Sequence, residues 1–251
     1  MNNIKQIDVN ADLGEGGALD EAILQCVSSA NIACGGHTGD ERSMRLALQT
    51  AKRYGVAAGA HPSFPDPANF GRVVMPIAAD QLYVSLCDQV LPLLAIAAQE
   101  DYPLRHLKPH GALYHQAAYQ ADTGALLIRL IQEHAPHLAL CMLAGSPLVA
   151  QARSAGVRVI EEAFADRAYQ ADGRLVPRSQ PGACLESEAD AIAQALAIAK
   201  REPLTTCDGQ QLRIHADSLC LHGDGAHALP LTIAVRAALL ANGFNIAAQQ
   251  N

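Results

Sequence analysis

A short segment in the middle of the chain carries three side chains that can donate, accept or shuttle protons. Lys108, His110 and Tyr114 bring an ammonium, an imidazole and a phenol close together, directly after a short apolar run. Pro109 and Gly111 punctuate the segment, so the backbone must leave a strand and turn there. Such groups on a turn at a strand end are typical of catalytic sites. Taken alone, each residue also has an ordinary structural explanation: the segment would be a helix start, with the lysine in solvent and the tyrosine buried.

Similar polar groups follow most of the other apolar runs. In chain order, the predicted strand ends carry Asn10, Asp12 and Glu15; His37 and Asp40; His61 and Asp66; Lys108, His110 and Tyr114; Glu161, Glu162, Asp166 and Arg167; and His222 and Asp224. In a barrel of parallel strands, all these positions lie at the C-terminal end, where such folds hold their catalytic groups. Helix capping explains single members, but not imidazoles and a lysine at several separate strand ends. The set therefore predicts one functional pocket.

Three kinds of chemistry fit these residue types, and the residues leave all three open. The first is a divalent metal held by two imidazoles and a carboxylate, from His37, His61 and Asp12. The second is a phosphoryl clamp, in which carboxylates and His110 move protons beside the cations Arg72, Lys108, Arg167 and Arg178. The third is a binding pocket that performs no chemistry.

The elements that position these groups alternate along the chain. Apolar runs and helical patterns follow one another about seven times with short connections, which predicts a parallel sheet. The loop after the first run lacks the Gly-x-Gly-x-x-Gly of an open dinucleotide-binding sheet, and the sequence contains no phosphate-loop motif. We expect a single α/β domain over residues 1–251, an irregular TIM-like (β/α) barrel of about seven parallel strands.

Several local signals refine this expectation. Asp40 and Gly55 are the expected N-cap and end of a helix, and Ser146 is the expected N-cap of another. Hairpin turns are expected at 172–173 and 208–209, where an aspartate precedes a glycine.

Composition limits the partners and the compartment. The net charge of -7 offers no basic footprint for nucleic acid. Seven scattered cysteines without a Cys-x-x-Cys pattern predict reduced thiols. We see no apolar signal region and no apolar run long enough to span a bilayer, so we expect a cytoplasmic protein that acts on a small molecule.

Motifs along almost the whole chain resemble those of the LamB/YcsF family. They are residues 10–16 (NADLGEG), 30–35 (ANIACG), His37 with 39–40 (GD), 59–62 (GAHP), 108–114 (KPHGALY), 164–169 (FADRAY) and 222–224 (HGD). The chain departs from the family where Gly36 replaces a bulky residue, Thr38 an alanine and Val73 a second arginine. The departures next to His37 suggest a slightly different pocket wall there, and Val73 argues against a role for a paired arginine at 72–73.

The resemblance implies a barrel similar to those of glycoside hydrolases and deacetylases. It also implies an activity: the A subunit of 5-oxoprolinase, which opens 5-oxo-L-proline to L-glutamate with hydrolysis of ATP, with Mg²⁺, alongside subunits B and C. Asp12, Glu15, His61, Lys108, His110, Asp166 and Arg167 would then be catalytic. The expected substrate and phosphate contacts are Asn10, His37, Asp40, Arg72, Arg178, His222 and Asp224. Rival interpretations are a metal-dependent amide hydrolase or deacetylase that needs no ATP, and a non-catalytic lactam-binding module.

Overall fold

The computed structural model describes residues 5–185, 187–221 and 228–249. In these residues the strands are β1 (Lys5–Leu13), β2 (Ser29–Ala33), β3 (Ala57–His61), β4 (His106–Leu107), β5 (Ala139–Leu143), β6 (Val159–Phe164), β7 (Leu204–Thr205), β8 (Gln211–Leu212), β9 (Ser218–Cys220) and β10 (Phe244–Ile246). The helices are α1 (Asp20–Leu24), α2 (Glu41–Tyr54), α3 (Ala79–Gln99), α4 (Gly111–Tyr119), α5 (Ala121–His134), α6 (Pro147–Ser154), α7 (Glu188–Lys200) and α8 (Ala228–Ala241).

Seven parallel strands close into a barrel, as the alternating pattern predicts. Their order is β1-β2-β3-β4-β5-β6-β9, and β9 pairs with β1 to complete the ring. Helices cover the outside, while β2 and β5 are buried along their whole length. Fully buried strands in a parallel sheet read as continuous apolar runs, which is why these two are visible in the sequence. The predicted irregular TIM-like barrel is confirmed.

The remaining strands lie outside the ring. The short β10 pairs in parallel with the start of β1, and β7 pairs with β8 as an antiparallel hairpin. That hairpin confirms the turn expected at 208–209. The turn at 172–173 is also present, since Tyr169 and Leu175 form an antiparallel bridge across it.

The two predicted helix caps have different outcomes. Asp40 caps α2, because its Oδ1 accepts from the Ser43 N–H at 2.8 Å, and Gly55 ends the helix with φ of 67°. Ser146 does occupy the N-cap position of α6, but it does not cap the helix through its side chain. Its buried Oγ has no hydrogen-bond partner among the described residues.

We expected no apolar run long enough to span a bilayer, and this expectation about length is wrong. By length and composition alone, α3 could cross a membrane. In the fold, α3 packs against α2, α5 and β3 and buries Leu86, Val90 and Leu93. Core helices of globular proteins pass the same composition test, so this helix is weak evidence for a membrane span.

Polar side chains inside the barrel are paired. At the N-terminal end, the buried carboxylate of Asp8 accepts from the hydroxyls of Ser28, Ser29 and Ser218, which joins β1 to its neighbours β2 and β9. Burial raises the pKa of Asp8, an effect that the three hydroxyl bonds oppose. Nearer the middle, a side chain at Gly59 would meet the His106 ring at 2.3 Å, so glycine on β3 leaves the space that this imidazole fills.

Candidate functional site

A cavity of about 760 Å³ opens at the C-terminal ends of the barrel strands. Its deep end is formed by groups from β1, the end of β3 and the turn after β4, namely Asp12, Glu15, His61, Lys108 and His110. Its outer end is lined by α4 and by the excursion between β6 and α7, through Tyr119, Arg167, Gln170, Arg174, Arg178 and Ser179. The strand-end location expected from the sequence is therefore where the cavity lies.

The ammonium group of Lys108 is already paired with carboxylates of the protein. Its buried Nζ lies 2.9 Å from Asp12 Oδ1 and 2.8 Å from Glu162 Oε1, and it donates to Asn10 Oδ1 at 3.2 Å. Burial alone would lower the pKa of Lys108, but negative groups led by Asp12 outweigh it and raise the pKa well above its ordinary value. The expected role of Lys108 as the anion contact conflicts with this geometry, because two carboxylates already surround the ammonium.

Glu162 is a group at this site to which sequence reasoning assigned no role. It is fully buried, and its carboxylate accepts from Asn10 Nδ2 at 2.9 Å and from the Tyr114 hydroxyl at 2.8 Å, besides pairing with Lys108. Its neighbour Glu161 faces outward and binds Arg153 at 2.8 Å. Alternation along β6 puts one glutamate of the pair inside the barrel, but periodicity alone does not say which.

Tyr114 belongs to this buried network. Burial and the nearby Glu162 raise the pKa of its hydroxyl well above the ordinary value, so it stays protonated and donates to Glu162. Its contact with Glu162 anchors α4 to the barrel interior.

Two imidazoles are fixed side by side by the chain itself. The ladder between β3 and β4 continues past the strands, since the Lys108 N–H donates to Ala60 O at 2.9 Å and the His110 N–H to Pro62 O at 2.7 Å. The adjoining residue Gly111 has φ of 55°, and a side chain there would meet the Gly71 carbonyl oxygen at 2.5 Å. Glycine therefore lets the 70–71 loop lie against His110.

Backbone carbonyls then set the tautomers. His61 Nδ1–H donates to Lys108 O at 2.8 Å, and His110 Nε2–H donates to Phe70 O at 3.0 Å. The remaining nitrogens, His61 Nε2 and His110 Nδ1, lie 3.0 Å apart. In the neutral rings both carry a lone pair, so the arrangement requires a proton or another cation between them.

A third imidazole and a carboxylate complete the group. His37 stacks on His110 with ring centroids 3.7 Å apart, and its Nε2 lies 2.9 Å from Glu15 Oε1. Burial and His61 lower the pKa of His37 to about 3, while burial, His61 and His37 lower that of His110 to about 2. For His61, burial would lower the pKa, but Asp12 outweighs it and the pKa is raised. Of the three rings, His61 is therefore the one whose surroundings favour the protonated form.

These four side chains could also hold a metal ion. One ligand atom from each of Glu15, His37, His61 and His110 lies within 4.8 Å of the others. The donor set fits a divalent cation, because His61 and His110 each donate the opposite ring N–H to a carbonyl, as metal-bound imidazoles do. His37 Nδ1 is buried with no hydrogen-bond partner among the described residues. The expected set of Asp12, His37 and His61 changes, since Asp12 pairs with Lys108 and Glu15 takes its place.

The other expected residues are dispersed. Asn10 lies beneath the site and bonds Glu162; Arg72 lines the cavity and covers the Phe70 ring, with its Cζ 5.2 Å from the centroid. Asp40 does not line the cavity, because its carboxylate caps α2 at the surface. Asp166 does not line the cavity either, whereas Arg167 and Arg178 do. His222 and Asp224 lie outside the described residues.

The glycine at position 36 leaves space that neighbouring side chains fill. A side chain there would meet Gln89 Oε1 at 2.3 Å and Ser63 Oγ at 2.4 Å. Gln89 occupies this space because it bonds the backbone of Ser63 in both directions, each at 2.9 Å. A bulkier residue at this position requires Gln89 to move.

Comparison with known proteins shows the family to which the chain belongs. The model of the LamB/YcsF family matches residues 7–251. The lactam utilization protein from Thermus thermophilus is 37% identical, with a TM-score of 0.90 over 97% of this chain and 100% of that one.

Two more distant structures share the fold alone. A putative cellobiose-phosphate cleavage protein from Enterococcus faecalis is 13% identical, with a TM-score of 0.60 over 97% of each chain. A family 4 carbohydrate esterase from Streptomyces lividans is 9% identical, with a TM-score of 0.50 over 96% of this chain and 91% of that one. The match across nearly the whole sequence decides the assignment: this chain is a member of the LamB/YcsF family.

Proposed function

We propose that this protein is the A subunit of an ATP-dependent 5-oxoprolinase, which opens 5-oxo-L-proline to L-glutamate in the cytoplasm together with subunits B and C. Family membership and the similarity to the Thermus lactam utilization protein support a role in lactam utilisation. The observation that carries the proposal is the pair of inward-facing nitrogens of His61 and His110, 3.0 Å apart at the deep end of the cavity.

The chemistry explains why ATP would be used. A five-membered lactam is unstrained and resonance-stabilised, so its hydrolysis is slow and the ring re-forms. Transfer of the γ-phosphoryl group to the amide oxygen gives an activated imidate, which water attacks more readily. The cavity of about 760 Å³ is of the size that holds drug-sized ligands, so it leaves room for nucleotide phosphates beside a small lactam.

The residues at the deep end have distinct tasks in this proposal. His61 and His110 share a proton between their inward nitrogens and pass it to the ring nitrogen as the amide bond breaks. Lys108 pairs with Asp12 Oδ1 at 2.9 Å and so fixes the carboxylate, whose Oδ2 lies 3.4 Å from His61 Nε2 and stabilises the imidazolium. In place of that shared proton, a divalent cation held by Glu15, His37, His61 and His110 would polarise the lactam carbonyl and acidify water.

The test is glutamate formation by the reconstituted complex. His110→Asn should lower the rate about 10²–10⁴-fold, the usual contribution of one general acid or base. His137→Asn, which changes an exposed imidazole far from the cavity lining, is the matched control and should leave the rate unchanged. Activity of the His110 variant within a few-fold of wild type would refute the assignment of this cluster.

A metal-dependent amide hydrolase that needs no ATP is the second candidate, and the four-residue cluster favours it. Its signature is lactam cleavage by the isolated chain in nucleotide-free buffer, lost with a chelator and restored by Zn²⁺ or Mn²⁺. Cleavage that requires ATP and the partner subunits contradicts this candidate and supports the first.

A further inference from the structure

Arg167 is a buried guanidinium at the wall of the cavity. It is 2% exposed, and it forms no ion pair with any carboxylate of the residues that the structure describes. Its Nε donates to Ala183 O at 3.0 Å and its Nη2 to Val176 O at 2.6 Å. Burial lowers the pKa of Arg167 even though the adjacent Asp166 acts in the opposite direction. A buried charge that makes no ion pair is costly, so its presence at a cavity wall requires an explanation.

The excursion between β6 and α7 is built around this side chain. Arg167 bridges Cys184 in antiparallel pairing, while Ala168, Val176 and Ala183 form a small apolar cluster of their own. Behind it, Gln194 of α7 donates its side-chain amide to Arg167 O at 2.7 Å. The backbone of Arg167 is therefore held from three directions, which gives its guanidinium a fixed position.

The two carbonyl bonds also select which edge of the guanidinium is free. They use the Nε hydrogen and one Nη2 hydrogen, which leaves both Nη1 hydrogens and the second Nη2 hydrogen for a partner. This is the end-on fork of arginine, whose two parallel N–H groups match two oxygens of a carboxylate or phosphate. Because Arg167 lines the cavity, a ligand there can meet that fork.

A second guanidinium stands beside the first. Arg178 also lines the cavity, is exposed, and forms no ion pair with the described residues. Burial lowers the pKa of Arg167, and the positive charge of Arg178 lowers it further. Arg174 differs from both, because it pairs with Asp172 at 3.1 Å and covers the Tyr119 ring at 4.1 Å.

We propose that Arg167 and Arg178 form an oxyanion receptor, which anchors the negatively charged group of the substrate opposite the imidazole cluster. The ligand chemistry is a carboxylate or phosphate with two oxygens in one plane. Its sources are the carboxylate of the lactam and a phosphate of the nucleotide. The identity of the lactam rests on the proposed function; the receptor itself does not. This assignment gives the anion contact to Arg167, since the carboxylates of Asp12 and Glu162 occupy Lys108.

Titration calorimetry on the full chain tests the receptor. The probes are 5-oxo-L-proline, the neutral lactam 2-pyrrolidinone, inorganic phosphate and ATP. The variant is Arg178→Gln, whose exposed position leaves folding intact, and the matched control is Arg174→Gln, which removes the same charge nearby. Arg178→Gln should weaken the binding of 5-oxo-L-proline at least about tenfold, with 2-pyrrolidinone and the control unchanged.

The other outcomes distinguish a receptor for the nucleotide phosphate from a receptor for the lactam carboxylate, and both of these from the absence of a receptor. If phosphate and ATP lose affinity in Arg178→Gln while 5-oxo-L-proline does not, the receptor takes the nucleotide phosphate. If wild-type protein binds neither lactam but binds phosphate in an Arg178-dependent way, the receptor stands and the proposed function fails. Equal affinities of Arg178→Gln and wild type for all the anions would overturn the receptor. So would equal losses in Arg178→Gln and Arg174→Gln.

Discussion

Replacing Lys108 by methionine tests whether the buried charges at the base of the site hold the barrel together. Methionine is apolar and unbranched like the lysine stem, so the change removes the charge with little loss of volume. It leaves the carboxylates of Asp12 and Glu162 facing each other without the ammonium that now lies 2.9 and 2.8 Å from them.

The expected loss follows from these distances. Each contact is worth about 6 kcal/mol at an effective dielectric constant of about 20. Burial of the ammonium offsets much of that gain, and breaking a buried pair by removing one partner usually costs about 3–5 kcal/mol. We expect Lys108→Met to lose about 3–5 kcal/mol of unfolding free energy near neutral pH.

The pH dependence provides a second check. The pKa of Lys108 is raised in the folded state. Its contribution to the free energy of unfolding is therefore fully present below the unfolded-state pKa of about 10.4, and it is lost only as the pH rises through the folded-state pKa. The deficit of Lys108→Met relative to wild type should therefore stay constant from about pH 7 to about pH 10 and shrink only above that range.

Urea denaturation across this pH range is the assay, and Glu162→Gln supplies the double-mutant cycle. Adding Glu162→Gln to Lys108→Met should recover part of the loss, because only one of the two charges then remains. A loss below about 1 kcal/mol for Lys108→Met would refute the electrostatic reasoning, as would a larger loss that Glu162→Gln does not alter.

Two further predictions concern single groups. Burial lowers the pKa of His106 to about 3. The contribution of His106 to the free energy of unfolding is therefore complete above its unfolded pKa of about 6.5, and it declines by about 2 kcal/mol on acidification to about pH 5. His106→Asn should flatten the fall of unfolding free energy over that range in urea titrations, and an unchanged slope would contradict this. Ser146→Ala should leave the melting temperature unchanged or raise it, whereas Asp40→Ala should lower it by about 2–4 °C because only Asp40 caps its helix. A clear loss in Ser146→Ala would show that its hydroxyl is bonded after all.

Much of the architecture is visible in the sequence because it follows from local patterns. The alternation of apolar runs and helical patterns is present as the barrel, and α2 lies between its expected ends at Asp40 and Gly55. Their signals are periodicity, caps and turn residues, which act over a few neighbouring positions. The short β10 carries no such signal, and its pairing with β1 joins residues that are more than two hundred positions apart.

The sequence by itself determined that imidazoles and charged groups stand at the ends of parallel strands, because strand direction places those ends on one side of the barrel. Only the tertiary structure decided their partners. Lys108 meets Asn10 across 98 positions, and Glu162 rather than Glu161 faces the barrel interior. The carbonyls of Lys108 and Phe70 orient the rings of His61 and His110. The physical reason is that charge pairing and tautomer choice depend on atoms brought within about 3 Å by closure of the barrel, a distance that no sequence spacing encodes.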